Sequence, residues 1–508
     1  MREGLIACLV LTPRQHRLVL VSLCAPPTPQ TSADAMAPLR AALLAASAAA
    51  ACGAGGISGR ALLLAKDNDT WVGSSAIALQ SDADPVFMFS TWVYDPIELV
   101  AFRTAASNAT PSWRVDTTRD LKYQTLYVSS SGRPAKSGAA VDSLAFWNRK
   151  PSGINGDCHL FGFNSRAAPN LDFPPPSAGS WHVNLTADGS CDNINGAFPY
   201  SRFALSGDGA SATAWVQDGT GNIKVFGIDG QSGAVRWTTE RTCGSNCDYF
   251  LSYGSTISED GKWVAFDYGV IGFPHNITVV SSADGKQRGS KNVPSFDGTP
   301  AYISPDGSFV FTANDPRNPS RGTFMTWHWS DASGEYLPYS YGQPPVDSGG
   351  AGWVVAQAAF SLDAATGTTY LGVVFFTQTL AGPNVLAIYD AARLGQGAIS
   401  SVVVKGSGSD IALADAVIDC DGALCAAGFD TQRVGDKTQP TLVAVSAAAA
   451  NASWTWVGPG SVDDVSVVVH NAGAAGEGYY VLAGGCSSRG GCDGKGGFTA
   501  AFDLKVAA

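Results

Sequence analysis

The sequence predicts an all-β chain, folded as a single closed β-propeller of eight four-stranded blades, with seven as the alternative count. Three observations lead there. First, a phrase recurs: an apolar run, then Ser or a neighbour, then Asp-Gly, then a second apolar run. It reads FALSGDG at Phe203–Gly209, STISEDGKWVAF at Ser255–Phe266 and AYISPDGSFVF at Ala301–Phe311, with degenerate copies at Ala358–Gly367 and Ala416–Gly428. The equivalent residues Asp208, Asp260, Asp306, Asp363 and Asp421 stand 52, 46, 57 and 58 residues apart. A near-constant period with a turn signal inside each unit marks a repeat architecture. Second, only 15% of residues are charged while 58 of 508 are Gly, a balance that suits short strands and tight turns. Third, tryptophan recurs at the end of the units, at Trp113, Trp181, Trp237 and Trp454, three times within Ser-Trp-x-(Val/Trp). A large ring at the outer edge of one unit can wedge against the next.

Each unit divides into four strand candidates by alternation and turn residues. Unit one reads SAIALQS, PVFMFST, LVAFRTA and SWRVDTT; unit two reads TLYVSSS, DSLAFWN, CHLFGFN and SWHVNLT. Unit three is SRFALSG, ATAWVQD, IKVFGID and VRWTTE, with Asp208-Gly209 at its first hairpin. Asp-Gly suits such turns because Gly tolerates positive φ and Asp bonds its own backbone. Units four to seven run on in the same way, from STISED to SWTWVG. The last unit supplies three strands, DVSVVVH, YYVLAGG and FTAAFDL, and the unclaimed run Arg60–Ala65 is the expected fourth. Closing the ring with strands from both ends of the propeller covers edges that would otherwise template aggregation.

Outside the repeat, Met36–Arg40 followed by the Ala-rich run to Ala51 has the basic n-region, apolar h-region and small residues of a secretory signal. The expected division is therefore 1–35, a disordered over-extension of the gene; 36–52, a signal peptide; and 53–508, the propeller. Secretion to the extracellular space follows from it. Eight cysteines beyond the signal fall in local pairs, Cys158/Cys191, Cys243/Cys247, Cys420/Cys425 and Cys486/Cys492. An even number in pairs reads as disulfides in an oxidising compartment. Asn68, Asn108, Asn184, Asn276 and Asn451 lie in glycosylation sequons. The net charge of −11 without a basic run argues against nucleic acid, and no apolar stretch past residue 65 is long enough to span a bilayer. The expected state is a monomer.

The motifs Ser304-Pro-Asp-Gly307 and Ser258-Glu-Asp-Gly261 resemble the SPDG phrase of WD-repeat, YVTN-type and related propellers. The run Asp229-Gly-Gln-Ser-Gly233-Ala-Val-Arg-Trp237 is similar to the repeat of pyrroloquinoline-quinone alcohol dehydrogenase-like propellers, and Asp331-Ala-Ser-Gly334 is a partial copy. The resemblance implies the architecture over residues 60–508 and no single activity, since such folds host many. The quinone enzymes carry an adjacent Cys-Cys pair, which this chain lacks. The resemblance therefore carries no quinone, calcium or catalytic aspartate to any position here.

No nucleophile elbow, zinc-protease helix, EF-hand or phosphate loop is present. Histidines 159, 182, 275, 328 and 470 are scattered, so no metal site is expected. Position is the remaining guide. The face carrying the blade-to-blade connections presents Arg119, Asp120, Arg202, Asp248, Tyr249, Asp297, Asp415, Asp463 and Asp464 around the channel mouth, a polar collar suited to a small ligand or peptide and compatible with Ca²⁺. Hairpin aspartates such as Asp306 read as turn formers. The expected function is a binding or interaction scaffold for a protein, peptide or glycan, with no catalytic residue assigned. The alternative is a propeller enzyme, an oxidoreductase, lyase or hydrolase working at the channel mouth. A cluster of buried ionisable groups with shifted pKa values there would count against pure binding.

Overall fold

The computed structural model describes residues 56–507 apart from 68–70, 82–83, 93–97, 104–110, 117–124, 134–140, 150–156, 170, 172–179, 186–202, 218–221, 243–249, 252–254, 271–274, 294–301, 314–322, 347–351, 378–382, 406–415, 430–438, 473–476 and 487–495. The Asp-Gly phrase builds the same object each time. In Ser304–Phe309 the Ser304 hydroxyl donates to Asp306 (2.7 Å) and accepts from the Phe309 amide (2.8 Å), while Asp306 accepts from the Ser308 amide. Ser206/Asp208 and Ser258/Asp260 repeat these bonds. Gly209, Gly261 and Gly307 take φ of 67°, 72° and 73°, the left-handed region open to glycine at little cost.

These hairpins join the first two strands of blades. Eight antiparallel four-stranded sheets form, and in seven of them the strands lie side by side in chain order. Their first, innermost strands are Trp71–Leu79, Thr125–Ser130, Phe203–Leu205, Ser255–Ile257, Tyr302–Ile303, Trp353–Asp363, Ala416–Asp421 and Ser461–His470 for blades 1 to 8. Each inner strand touches those of the blades on either side, and the eighth touches the first, which closes the ring. In blade 8 the fourth strand is Ile57–Asp67, paired antiparallel to Gly497–Val506. The expected closure near 60–65 is thus present and longer than anticipated. Blade 4 also carries a two-residue strand, Phe250–Leu251, beside Trp263–Val270.

Outer-strand tryptophans lock neighbouring blades. Trp113, Trp181 and Trp237 donate their indole N–H to carbonyls of the next blade, at Ser165 (2.8 Å), Gly230 (2.9 Å) and Ser282 (2.9 Å). A Cβ at Gly233 would lie 2.7 Å from the Trp181 ring, and one at Gly285 would lie 2.8 Å from the Trp237 ring. Each ring therefore needs a glycine turn in the following blade. Trp454 packs edge-on against Phe502 of blade 8, ring centroids 4.9 Å apart. Blade 4 departs from the pattern: its Arg288 guanidinium lies between Trp263 and Trp329, 4.0 and 4.2 Å from the ring centres, a cation–π sandwich.

Cys420 and Cys425 face each other across the first hairpin of blade 7 and are disulfide-bonded. Cys158 and Cys486 are also in disulfide form; Cys191, Cys243, Cys247 and Cys492 lie outside the described residues, as does the whole signal segment. Of the sequon residues, Asn184 and Asn451 are exposed and Asn276 is half-buried; Asn68 and Asn108 are not described. No helix among the described residues is long and apolar enough to cross a membrane.

Candidate functional site: the central channel

An inner strand offers one edge to its own blade and leaves the other facing its neighbours around the axis. Backbone N–H groups on that edge need partners. Around blades 7, 8, 1 and 2 the partners are side chains from the preceding blade. Asp419 and Asp421 of blade 7 accept the amides of Val467 (2.7 Å) and Val469 (2.8 Å) in blade 8. Asp464 of blade 8 accepts both the amide and the hydroxyl of Ser75 in blade 1. The Ser74 hydroxyl of blade 1 accepts the Val128 amide of blade 2 (2.8 Å).

Bulges set up part of this arrangement. The register slips between Val462 and Asp464, between Val72 and Ser74, and between Val355 and Gln357. Each slip falls just before a polar residue that lines the channel, and a bulge re-aims the side chains beside it.

The channel holds a cavity of about 430 Å³ lined from all eight blades. The lining is mixed. Blades 7, 8, 1 and 2 contribute Asp419, Asp421 and Asp464 with hydroxyls such as Ser75 and Ser129, beside Val417, Val465 and Val467; blades 3 to 6 contribute Glu259, Gln357 and Ser255 beside Phe203, Ile257 and Phe360. At the hairpin end, Arg133 from the first loop of blade 2 donates to Glu259 of blade 4 (Nε, 2.5 Å) and Asp421 of blade 7 (Nη2, 3.0 Å). A side chain that touches blades 2, 4 and 7 of an eight-bladed ring must cross the axis. Arg133 therefore floors the channel at its hairpin end, and the cavity beside it is a well.

The electrostatics follow from this geometry. Burial pushes Asp464 up to about 7, against the pull of the Ser75 bonds. Burial does the same to Asp419, also to about 7, with the charges of Asp421 and Asp464 adding to it. Asp421 is raised by burial to about 6, with the Arg133 charge opposing the rise. Burial disfavours the charged form of a carboxylate wherever no full counter-charge offsets it.

Of the nine collar residues expected from sequence, Asp463 and Asp464 are described. Asp464 lines the well; Asp463, the bulged residue, is half-buried and does not line it. Arg119, Asp120, Arg202, Asp248, Tyr249, Asp297 and Asp415 lie outside the described residues. Sequence reasoning missed Arg133 and Asp419, and it took Asp421 for a turn former. Asp421 does accept the Gly422 amide (2.8 Å), but it also holds Arg133 and the Val469 amide. The histidines are less scattered than expected: His159 Nδ1 and His182 Nε2 are 3.1 Å apart on the outer strands of blade 2. Among the described residues no group of three or more His, Cys, Asp or Glu is arranged to hold a metal ion.

No family model and no curated protein matches this chain. Solved structures do. The chain resembles the C-terminal WD40 domain of Sif2, with 13% identity over 87% of this chain and 98% of that one, at a TM-score of 0.44. It resembles the Dos1 propeller, with 8% identity over 87% and 94% and a TM-score of 0.47. A quinohemoprotein alcohol dehydrogenase from Pseudomonas putida matches with 11% identity over 87% and 76%, at 0.42. The eight-bladed fold itself rests on the strand pairing above.

Proposed function

We propose that this chain is a secreted, disulfide-stabilised binding propeller that takes its ligand in the central well. The observation that carries this reading is the well: a cavity lined from all eight blades, floored at one end by Arg133 and set with carboxyl and hydroxyl groups among apolar ones. Concave sites with a few fixed polar groups in a largely preformed cavity are the usual form of a small-molecule site. The signal-like segment before Ala51 and the paired cysteines support export.

An enzyme reading has one specific observation in its favour. Asp419 and Asp464, raised to about 7, are carboxyl groups poised where a general acid or base works best. Against it, each accepts a main-chain amide of the next blade, a sufficient structural reason for its presence.

A thermal-shift screen of small molecules against the chain and its Asp464→Asn and Arg133→Met variants tests the proposal. A stabilising compound should lose its effect in at least one variant and should be recovered chemically unchanged. Recovery of a converted product would favour the enzyme. A shift that both variants retain would place the site on the outer loops. N-terminal sequencing of protein collected from culture medium tests export, with a start shortly after Ala51 expected.

A further inference from the structure

We infer that the well binds a neutral, polyhydroxylated ligand of one or two sugar rings, held by its hydroxyl and carboxyl groups, with the Arg133 guanidinium as a donor at its floor. This rests on the reading of the channel as the binding site.

Size is the first constraint. A cavity of about 430 Å³ is at the small end of the range for small-molecule sites, about 300–1,000 Å³, and the Arg133 bridge prevents a chain from threading through. Charge is the second. Glu259, Asp419, Asp421 and Asp464 line the well, and the lining cation Arg133 is shared by two of them. An anion would meet Glu259 and Asp421, whose one counter-charge, Arg133, is already shared between them, a repulsion that selects against it. A cation would need carboxylates with charge to spare. Here Asp419, Asp421 and Asp464 already accept main-chain amides, and burial moves Asp419 and Asp464 to about 7. Near neutral pH they are partly protonated groups that both donate and accept, as hydroxyls do.

The third constraint is the mixture of polar and apolar groups in the lining. A sugar ring has an apolar C–H face and a polar rim. The lining mixes the two: Ser75, Ser129, Ser255 and Asp464 are its polar groups, and Ile257 and the edges of otherwise buried Phe203 and Ile303 are among its apolar ones. Arg133 uses Nε and Nη2 for its two carboxylates, and Nη1 makes no bond among the described residues. Three N–H groups, two on Nη1 and one on Nη2, remain as donors that a ligand hydroxyl would meet at the floor.

The test is isothermal titration of the full chain, disulfides oxidised, with maltose, methyl glucoside, spermidine and glucuronate. The neutral sugars should bind at one site. Arg133→Met should weaken them at least tenfold. Arg133→Lys keeps a cation for Glu259 and Asp421 but lacks the forked donor, so it should weaken them with its melting temperature unchanged. Tyr339→Ala, on the exposed outer edge of blade 5, should change nothing. A glycoprotein ending in the same sugar, run beside the free disaccharide, separates a glycan terminus from a free sugar as the source. Spermidine or glucuronate binding in place of the sugars would overturn the polyol inference and leave the channel reading standing. Sugar binding untouched by both Arg133 variants, or no binding by any probe, would overturn both.

Discussion

Asp306 in blade 5 and Asp421 in blade 7 occupy the same place in the repeat and do different work. Asp306 stays local. Burial alone would raise it, but bonds from Ser304 and Ser308 hold it below the ordinary carboxylate range. Asp421 reaches outward to the Val469 amide of blade 8 and to Arg133 of blade 2, and burial raises it. The contrast extends to the two sides of the ring. In blades 3 to 5 the hairpins close on themselves and touch the next blade through the backbone, as Gly207 N to Glu259 O (2.9 Å) and Asp260 N to Pro305 O (3.2 Å). In blades 7, 8, 1 and 2 side-chain acceptors cross each boundary. One repeat can thus be satisfied locally or across its neighbours, and the second arrangement leaves ionisable groups in the channel.

The largest expected effect tests the part common to the whole ring. Trp237→Ala removes a buried ring and its bond to Ser282; urea unfolding should show a loss of about 3–5 kcal/mol. The paired substitutions Asp421→Ala and Asp306→Ala sharpen the contrast itself. The first leaves Arg133 and the Val469 amide short of a partner and should cost about 2–3 kcal/mol. The second loses turn bonds only and should cost about 1 kcal/mol. Equal costs would erase the distinction. Replacing both Cys420 and Cys425 by Ala opens a loop of sequence separation 5 and should cost about 2 kcal/mol by the chain-entropy argument.

Acid should affect the two sides in opposite senses. Asp419, Asp421 and Asp464 have folded pKa values raised above the unfolded one. The folded state therefore holds extra protons, and stability falls as pH rises from about 4, the ordinary aspartate value, to about 6–7, by at most about 1.4 kcal/mol per pH unit for each group. Asp306 is lowered, so its contribution is present above the unfolded pKa and is lost as pH falls through its folded value. Melting temperature should be higher near pH 5.5 than near pH 8, and Asp464→Asn should reduce that difference. A melting temperature that climbs steadily from pH 5.5 to 8 would contradict the raised values.

Much of the local side was legible in the sequence. The Ser-x-Asp-Gly phrase encodes its turn within six residues, and the tryptophans recur at the outer edges of units, where Trp181 and Trp237 meet the turn glycines Gly233 and Gly285 of the next blade. The polar side was less legible because its meaning lies in partners far along the chain. Arg133 meets Glu259 and Asp421, 126 and 288 residues away. A signal was available all the same. Unit two breaks the phrase, with SSSGRPAKSGAAVD where an Asp-Gly hairpin is expected, and AVIDCD places two acids in a strand otherwise apolar. Departures from a repeat marked the site better than the repeat did. The bulges before Asp464, Ser74 and Gln357 carry no such mark, since they arise from register against the second strand.

The most direct test of this division is carbon-13 NMR of aspartate-labelled protein titrated from acid to neutral pH, with resonances assigned through Asp306→Asn, Asp419→Asn and Asp464→Asn. Midpoints near 7 for Asp419 and Asp464, with Asp306 below the ordinary carboxylate range, are the expected result. Ordinary midpoints for all three would show that the channel carboxyls are solvated like any surface acid, and the account of the channel would fail.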